Sequence, residues 1–494
     1  MGIIIKQSIK GSIWSYIGVL IAFVTTSFLY PKFLTTELVG LFGLLISYST
    51  LFGQISLLGF PGITSRLFPH FRDPRTKHHG FSAIALLIIL IGFSLFLVFF
   101  FLFSPWIIEN NQEKSRLFSE HVYLLIPITF FTMLFIQLDT YNKVLYDALP
   151  GIFLQEFLQR FLLFGTTLLF ALGWLSVAQL IWAFAIAVSL KGIIITVLLQ
   201  QRKELSLNLP HGFVTKEFRR EMVDVGLFSI ISGLGSMIIF NLDKIIINQM
   251  LDLDKTGVYT IAFYFGTLVI IPSRPLLKIS GTLIADAWAK NDLNSIRGIY
   301  YKSCLNQFII GGFLFLGIWA NIDNILEILG PDYQQSKWVI FFVGIAYLFD
   351  MLTGANAQII AFSKYYRVAF WFVGILLVIV LSLLFLLIPI WGIVGAAMAI
   401  AGGLFLNNLM RYLFLFGKFK MQPFNLKFVT IPLFYVLLYY SISLIPQFSL
   451  VLDIAIRGTA ISLASLCFFY FAPVSTEIKS VLDLAFSKIK HPKK

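Results

Sequence analysis

The chain has 494 residues, 58% hydrophobic, 16% aromatic and only 12% charged, a usage that excludes a soluble globular protein. Its net charge of +13 points first to a basic membrane topology rather than to nucleic-acid binding, because the cations recur at regular places between apolar segments. Cys304 and Cys467 stand alone inside such segments and the six histidines lack metal-ligand spacing, so neither a disulfide framework nor a metal site is predicted.

Crossing roughly 30 Å of hydrocarbon takes about 20 mainly apolar residues, and the chain repeats that pattern. The opening KQSIKGS has no small-residue cleavage site, so the first helix is expected to be a retained span rather than a signal peptide. Helices are predicted over 11–30, 38–60, 81–104, 121–141, 152–173 and 176–200, which form an N-terminal lobe, 1–200. A polar linker, 201–221, follows. Six more helices, 222–247, 257–280, 303–322, 338–361, 368–388 and 391–416, form a second lobe, 222–417. Two additional helices, 428–446 and 452–472, occupy 418–472, ahead of a basic tail, 473–494. Barrel strands would alternate over about ten residues, which these segments do not. The predicted class is an all-α polytopic membrane protein with about fourteen transmembrane helices.

Lys and Arg are retained in cytoplasmic loops. With the N-terminus inside, most of the 37 fall on that side, from Lys6 and Lys10 through Arg202, Lys203, Arg219 and Arg220 to the tail lysines. The outer loops hold only Lys32, Lys114, Arg116, Lys255 and Lys337. Both termini are therefore expected in the cytoplasm. In the tail, Ile478, Val481, Leu482, Ala485, Phe486 and Ile489 recur at helical spacing with lysines opposite, the pattern of an interfacial amphipathic helix.

An internal repeat is visible. Gly40-Leu-Phe and Gly257-Val-Tyr open the second and eighth helices 217 positions apart, and Trp174 and Trp391 precede the sixth and twelfth with the same offset. Two six-helix halves in parallel orientation fit this pattern, as in transporters that bind substrate between halves.

Several polar residues interrupt the apolar runs. Asp350 stands alone in 338–361 and must face protein or water, since an acid at mid-membrane costs about 2.5 to 3.5 kcal/mol or more. Either it binds a coupling ion, Na+ or H+, or it closes a structural hydrogen bond. Glu156 and Arg160 are spaced for a pair within one helix. Gly226, Ser229, Gly233 and Ser236 form a stripe of small residues continuing to Asp243. Such a stripe suits a polar cavity wall or a helix-packing face equally. No nucleophile elbow, phosphate-binding glycine loop or paired-carboxylate motif is present, so no catalytic residue or cofactor is predicted.

FLTTELVGLFGLLISYSTLFGQISLLGFPGITSRLFPHF (33–71), TGVYTIAF (256–263), ILGPDYQQSKWVI (328–340) and LIPIWGIVGAAMAI (387–400) resemble recurring segments of polysaccharide flippases. These are the Wzx-type O-antigen exporters of the multidrug/oligosaccharidyl-lipid/polysaccharide superfamily. The resemblance implies a MATE-like fold of two lobes around a central cavity. It also implies an undecaprenyl-diphosphate-linked oligosaccharide as cargo, moved to the outer leaflet of the bacterial cytoplasmic (inner) membrane by a monomer surrounded by membrane lipids. Fourteen spans are similar to the lipid II flippases, whose extra pair flanks a groove for the lipid tail, although the first two helices here carry no Arg in the core. A MATE-type cation-coupled drug antiporter is the other alternative. A diphosphate cargo calls for Arg and Lys at the cytoplasmic mouth, and Lys10, Arg66, Arg274 and Lys278 are the candidates, unless they are only positive-inside anchors. Ser229 and Ser236 would contact the glycan.

Topology is testable directly. In intact cells, a membrane-impermeant thiol reagent should label Asn111→Cys and Gln334→Cys but not His78→Cys or Phe213→Cys. Labelling at position 78 would overturn the assigned orientation.

Overall fold

The computed structural model describes residues 2–208, 213–237, 241–472, 474–480 and 482–483, with side chains described from residue 10 and outside 231–232 and 234–237. Every regular element among them is helical, as expected for backbone that must satisfy its own hydrogen bonds in hydrocarbon. Several helices begin where a short polar side chain can cap them. Thr35 accepts from Leu38 N, Ser176 and Gln179 form a reciprocal capping box, and Asp292 accepts from Ser295 N at 3.0 Å.

Ten described helices are long and apolar enough to span a membrane, or eleven if one bent pair counts as a single span, so the expected fourteen is not reached by this measure. The differences have local causes. Tyr366–Phe419 is continuous for 54 residues but turns at Gly392 (φ 56°, ψ −135°), three residues after Pro389, and so holds two of the expected spans. Lys427–Ser443 is apolar but short. The expected helix 222–247 divides into Lys216–Met237 and Asp243–Met250, with 238–240 outside the described residues. The expected helix 257–280 is bent by 46° between Leu253–Ile270 and Ser273–Ala289, at Pro272, which lacks an N–H. The expected helix 338–361 breaks into Lys337–Leu352 and Asn356–Phe362 around Gly354, whose φ of +56° is left-handed.

The chain groups into two compact units, 1–261 and 262–494. In the first, Phe68, Phe71, Phe81, Leu138 and Tyr141 form a buried core. The segment after residue 201 is tied to this unit: Arg202 pairs with Asp147 at 2.6 Å, Glu204 faces His78 at 3.3 Å, and Ser206 N donates to Ser82 Oγ at 2.8 Å. Within the same unit the helices Thr36–Ser56 and Leu253–Thr267 cross with almost no space between them. A Cβ at Gly40 would fall 2.2 Å from Leu253 O, and one at Gly257 would fall 1.8 Å from Thr36 O. Position 253 is 36 plus 217, and 257 is 40 plus 217, so the contact is reciprocal under the sequence repeat. Gly43 meets Thr260, again its own equivalent.

In the second unit, the helices Lys427–Ser443 and Leu450–Phe471 pack on Leu293–Ala320 through Ile309, Leu316, Tyr435 and Phe469. Tyr435 OH donates to Ile309 O at 2.7 Å, and Asp453 accepts from both Arg457 and Asn324. The start of the tail is held by Lys302–Glu477 at 2.8 Å, Ser475 Oγ to Asn306 at 2.6 Å and Lys427 Nζ to Val474 O at 2.7 Å. Partial burial opposes ionisation of Glu477, but hydrogen bonds from Lys302, its own backbone N–H and Thr476, together with the Lys302 charge, outweigh it and bring its pKa down to about 2. A depressed carboxylate pKa contributes stability above the unfolded value and loses it as pH falls through the folded one, so this contact persists until pH approaches 2. Val481, Ala485, Phe486 and Ile489 lie outside the described residues.

The crossing makes a measurable demand. Gly257→Val should lower stability by about 1 to 3 kcal/mol through overpacking and reduce the folded protein recovered from membranes. Gly317→Ala, where a Cβ meets nothing within 4 Å, should have no such effect. Equal recovery of the two variants would show that the helices can separate without cost.

Candidate intramembrane polar site

Asp350 lies at the end of Lys337–Leu352, three residues before the break around Gly354. Its carboxylate accepts from Asn408 Nδ2 at 2.9 Å, and Asn408 Oδ1 accepts from Asn356 Nδ2 at 3.1 Å. Asn356 opens the helix beyond the break, and Asn408 belongs to the second half of Tyr366–Phe419. Arg411, one turn after Asn407 and Asn408, is within electrostatic reach of Asp350. Asn356, Asn407 and Asn408 are buried, and Asn407 Oδ1 has no hydrogen-bond partner among the described residues. The break itself is packed rather than loose: Ala355 N donates to Ser303 Oγ at 3.1 Å, and a Cβ at Gly354 would fall 2.7 Å from Cys304 N. Irregular backbone inside a membrane is tolerated where protein surrounds it or where it faces a wet cavity. Chemically, the arrangement offers a carboxylate and amide oxygens beside a cation.

A second set of charges lies in the first unit. Lys143 pairs with Asp139 at 2.5 Å and Arg160 with Glu156 at 2.6 Å, each one helical turn apart. Lys191 Nζ sits 4.9 Å above the Phe135 ring, within electrostatic reach of Glu156 and Asp139. Gly151 packs so closely on Asp139 that a Cβ would fall 1.6 Å from its Oδ1, and that oxygen has no hydrogen-bond partner among the described residues. Asp243 is fully buried and accepts from Tyr259 OH at 2.6 Å.

The other candidates are dispersed. Lys10 and Arg66 belong to the first unit, and Arg274 and Lys278 to the second; all four are exposed. Arg274 and Lys278 follow the bend at Pro272, one turn apart on one helix. The small-residue stripe packs against neighbouring helices. Gly59 closes on Gly226 O, Gly62 on Ser229 Oγ and Gly233 on Gln54 Nε2; Ser236 lies outside the residues with described side chains. The pairing of Glu156 with Arg160 follows from their spacing. Asn356, Asn408 and Arg411 were not legible as partners of Asp350 because they are distant in sequence. Asp139 and Lys191 could have been found by the same signal as Asp350, a charge inside an apolar run.

The fold is that of a known transporter class. The structure is similar to the lipid II flippase MurJ in an inward closed conformation, with TM-score 0.70, 14% identity and coverage of 93% of this chain and 99% of that one. It is also similar to an inward-facing multidrug resistance MATE family transporter of the MOP superfamily, with TM-score 0.63, 14% identity and coverage of 82% and 94%. A MATE structure in the bent conformation matches with TM-score 0.52 and 15% identity over 88% and 96% of the two chains. At these identities the likeness concerns the fold alone. No curated protein matches in sequence. Residues 6–277 match the family model described as polysaccharide biosynthesis protein. Because that match covers more than half of the sequence, the chain belongs to the polysaccharide biosynthesis protein family.

Proposed function

We propose that the protein is a flippase that carries an undecaprenyl-diphosphate-linked oligosaccharide, an O-antigen or other surface polysaccharide unit, from the cytoplasmic to the outer leaflet of the bacterial cytoplasmic membrane. The family match over 6–277, joined to a transporter fold, carries this reading. The physical need is plain: each glycan hydroxyl left unsatisfied in hydrocarbon costs roughly 1 to 3 kcal/mol, so the headgroup requires a polar path that opens alternately to either side. In the second unit an apolar cavity of about 580 Å3, lined by Ile309, Ile310, Phe313, Leu466 and Phe469, suits the prenyl chain. The exposed Arg274 and Lys278 suit the diphosphate. Lipid II is the less favoured cargo because the first two helices lack a core Arg.

Asp350 is the proposed coupling group. It is held by one amide, stands within electrostatic reach of Arg411 and lies at a broken helix, so protonation or Na+ binding there would alter the balance between inward-open and outward-open forms. The membrane potential adds a drive of its own, about 2.3 kcal/mol per 100 mV for each negative charge moved outward.

Deletion of the gene should cause lipid-linked glycans to accumulate on the cytoplasmic side. Unchanged glycans together with new drug sensitivity would instead favour the antiporter. Replacing Arg274 and Lys278 together by Ala should slow export at least about tenfold at normal protein abundance, since hydrogen bonds to charged groups contribute about 1.5 to 3 kcal/mol each. Export at the wild-type rate would reduce them to topological anchors. Asp350→Asn should leave the fold intact and abolish the dependence of vesicle transport on pH or Na+; unaltered dependence would make Asp350 structural.

A further inference from the structure

The first unit contains a partly open apolar cavity of about 720 Å3 that the transport cycle does not explain. One wall is a face of the Lys216–Met237 helix bearing Arg219, Met222, Val223, Gly226, Leu227 and Ile230. Ile63 of Phe60–Phe71 and Ile84, Leu87 and Ile88 of Phe81–Asn111 form the facing walls. Arg219 is the one charged residue of the lining. No ion pair or side-chain hydrogen bond among the described residues engages its guanidinium.

The charges on this helix are segregated. At about 100° per residue, the apolar lining residues fall within about 80° of Arg219, and Lys216 falls about 60° away. Glu217, Glu221 and Asp224 fall about 140 to 160° away, on the far side. The cavity therefore has a cationic head and an apolar body, with the acids turned from it. Its length is equally informative. From Arg219 to Ile230 is eleven residues, about 16 Å of helix, and one leaflet of a hydrocarbon core of roughly 30 Å is about 15 Å deep. By the cation distribution, Arg219 stands at the cytoplasmic surface.

We propose that this cavity is a binding site for an anionic glycerophospholipid of the cytoplasmic leaflet, with its phosphate on Arg219 and an acyl chain along Val223, Leu227 and Ile230. Arg binds phosphate oxygens in two-point fashion, and an unpaired guanidinium at the head of an apolar groove selects a ligand with both parts. The site is built entirely within the first unit and does not depend on which cargo is carried. Its consequence is that activity would depend on the lipid composition of the inner leaflet.

The test uses the purified full-length chain in detergent, with retained lipid read by native mass spectrometry. Phosphatidylglycerol and phosphatidylcholine of identical acyl composition are the probes. Wild-type protein should retain phosphatidylglycerol in preference to phosphatidylcholine. Arg219→Gln should weaken phosphatidylglycerol retention about fivefold, the factor matching about 1 kcal/mol per basic residue at a membrane surface, and leave phosphatidylcholine unchanged. Val223→Trp, at a position 55% exposed where folding is not at stake, should weaken retention of both lipids by filling the groove. Retention of phosphatidylglycerol at wild-type level in either variant overturns the proposal. So does its displacement by equimolar undecaprenyl phosphate in an Arg219-dependent manner, because the site would then belong to the cargo. Transport of lipid-linked glycan measured in parallel separates this outcome from failure of the flippase assignment.

Discussion

The crossing of Thr36–Ser56 with Leu253–Thr267 is the constraint on which much else depends. Gly40 lies against Leu253 and Gly257, Gly43 lies against Thr260, and Thr36 is hydrogen-bonded to Asp254, so a side chain at Gly40 or Gly257 would strike the facing backbone. Without a hydrophobic effect between helices in lipid, such close backbone approach is also what holds them, through packing of small residues. The same logic places Gly59 and Gly62 against the Lys216–Met237 helix, and Gly233 of that helix against Gln54.

Polar groups are then admitted only where this packing shelters them. Among the described residues the acids inside the helical packing have named neighbours: Glu156 has Arg160, Asp139 has Lys143, Asp243 has Tyr259, Asp453 has Arg457, and Asp350 has Asn408 with Arg411 in reach. The differences among them matter for function. Asp453 accepts two side-chain bonds, while Arg457 also donates to the carbonyls of Ile442 and Ile445, so this pair is saturated and tethers the last two helices. Asp350 accepts one amide bond and sits where the helix breaks, and Asn407 beside its partner keeps an unpaired buried oxygen. A saturated pair resists change, and the incompletely satisfied one is where the proposed coupling role is placed.

Much of this was legible in the sequence, and the gaps have physical reasons. Apolar length and the cation distribution report on one-dimensional properties, so the helical membrane class was readable. The breaks at Gly354 and Gly392 were not, because a single glycine within an apolar run is compatible with an unbroken helix until neighbouring packing decides. The stripe from Gly226 to Gly233 carried two meanings at equal weight, and only the closeness of Gly59, Gly62 and Gln54 identifies it as a packing face over those positions. Asp350 was conspicuous by itself, whereas Asn408 and Arg411 became its partners through folding; Arg411 reads in sequence as one more cytoplasmic anchor.

The two apolar cavities show how the same composition yields different chemistry. In the second unit the cavity near the last two helices includes Glu477 in its lining, but that carboxylate is already paired with Lys302 and tied to the docked start of the tail. Its charge is spent within the protein, which leaves the cavity an apolar slot suited to a chain without a headgroup bound at that point. In the first unit the cavity ends at Arg219, which no described ion pair or side-chain hydrogen bond neutralises, and the acids of the same helix fall on its far side. Under the proposed functions, neutralised and free charge distinguish a groove that would let a prenyl chain slide from one that would hold a headgroup in place, a distinction set by the partner of a single charged side chain rather than by cavity size.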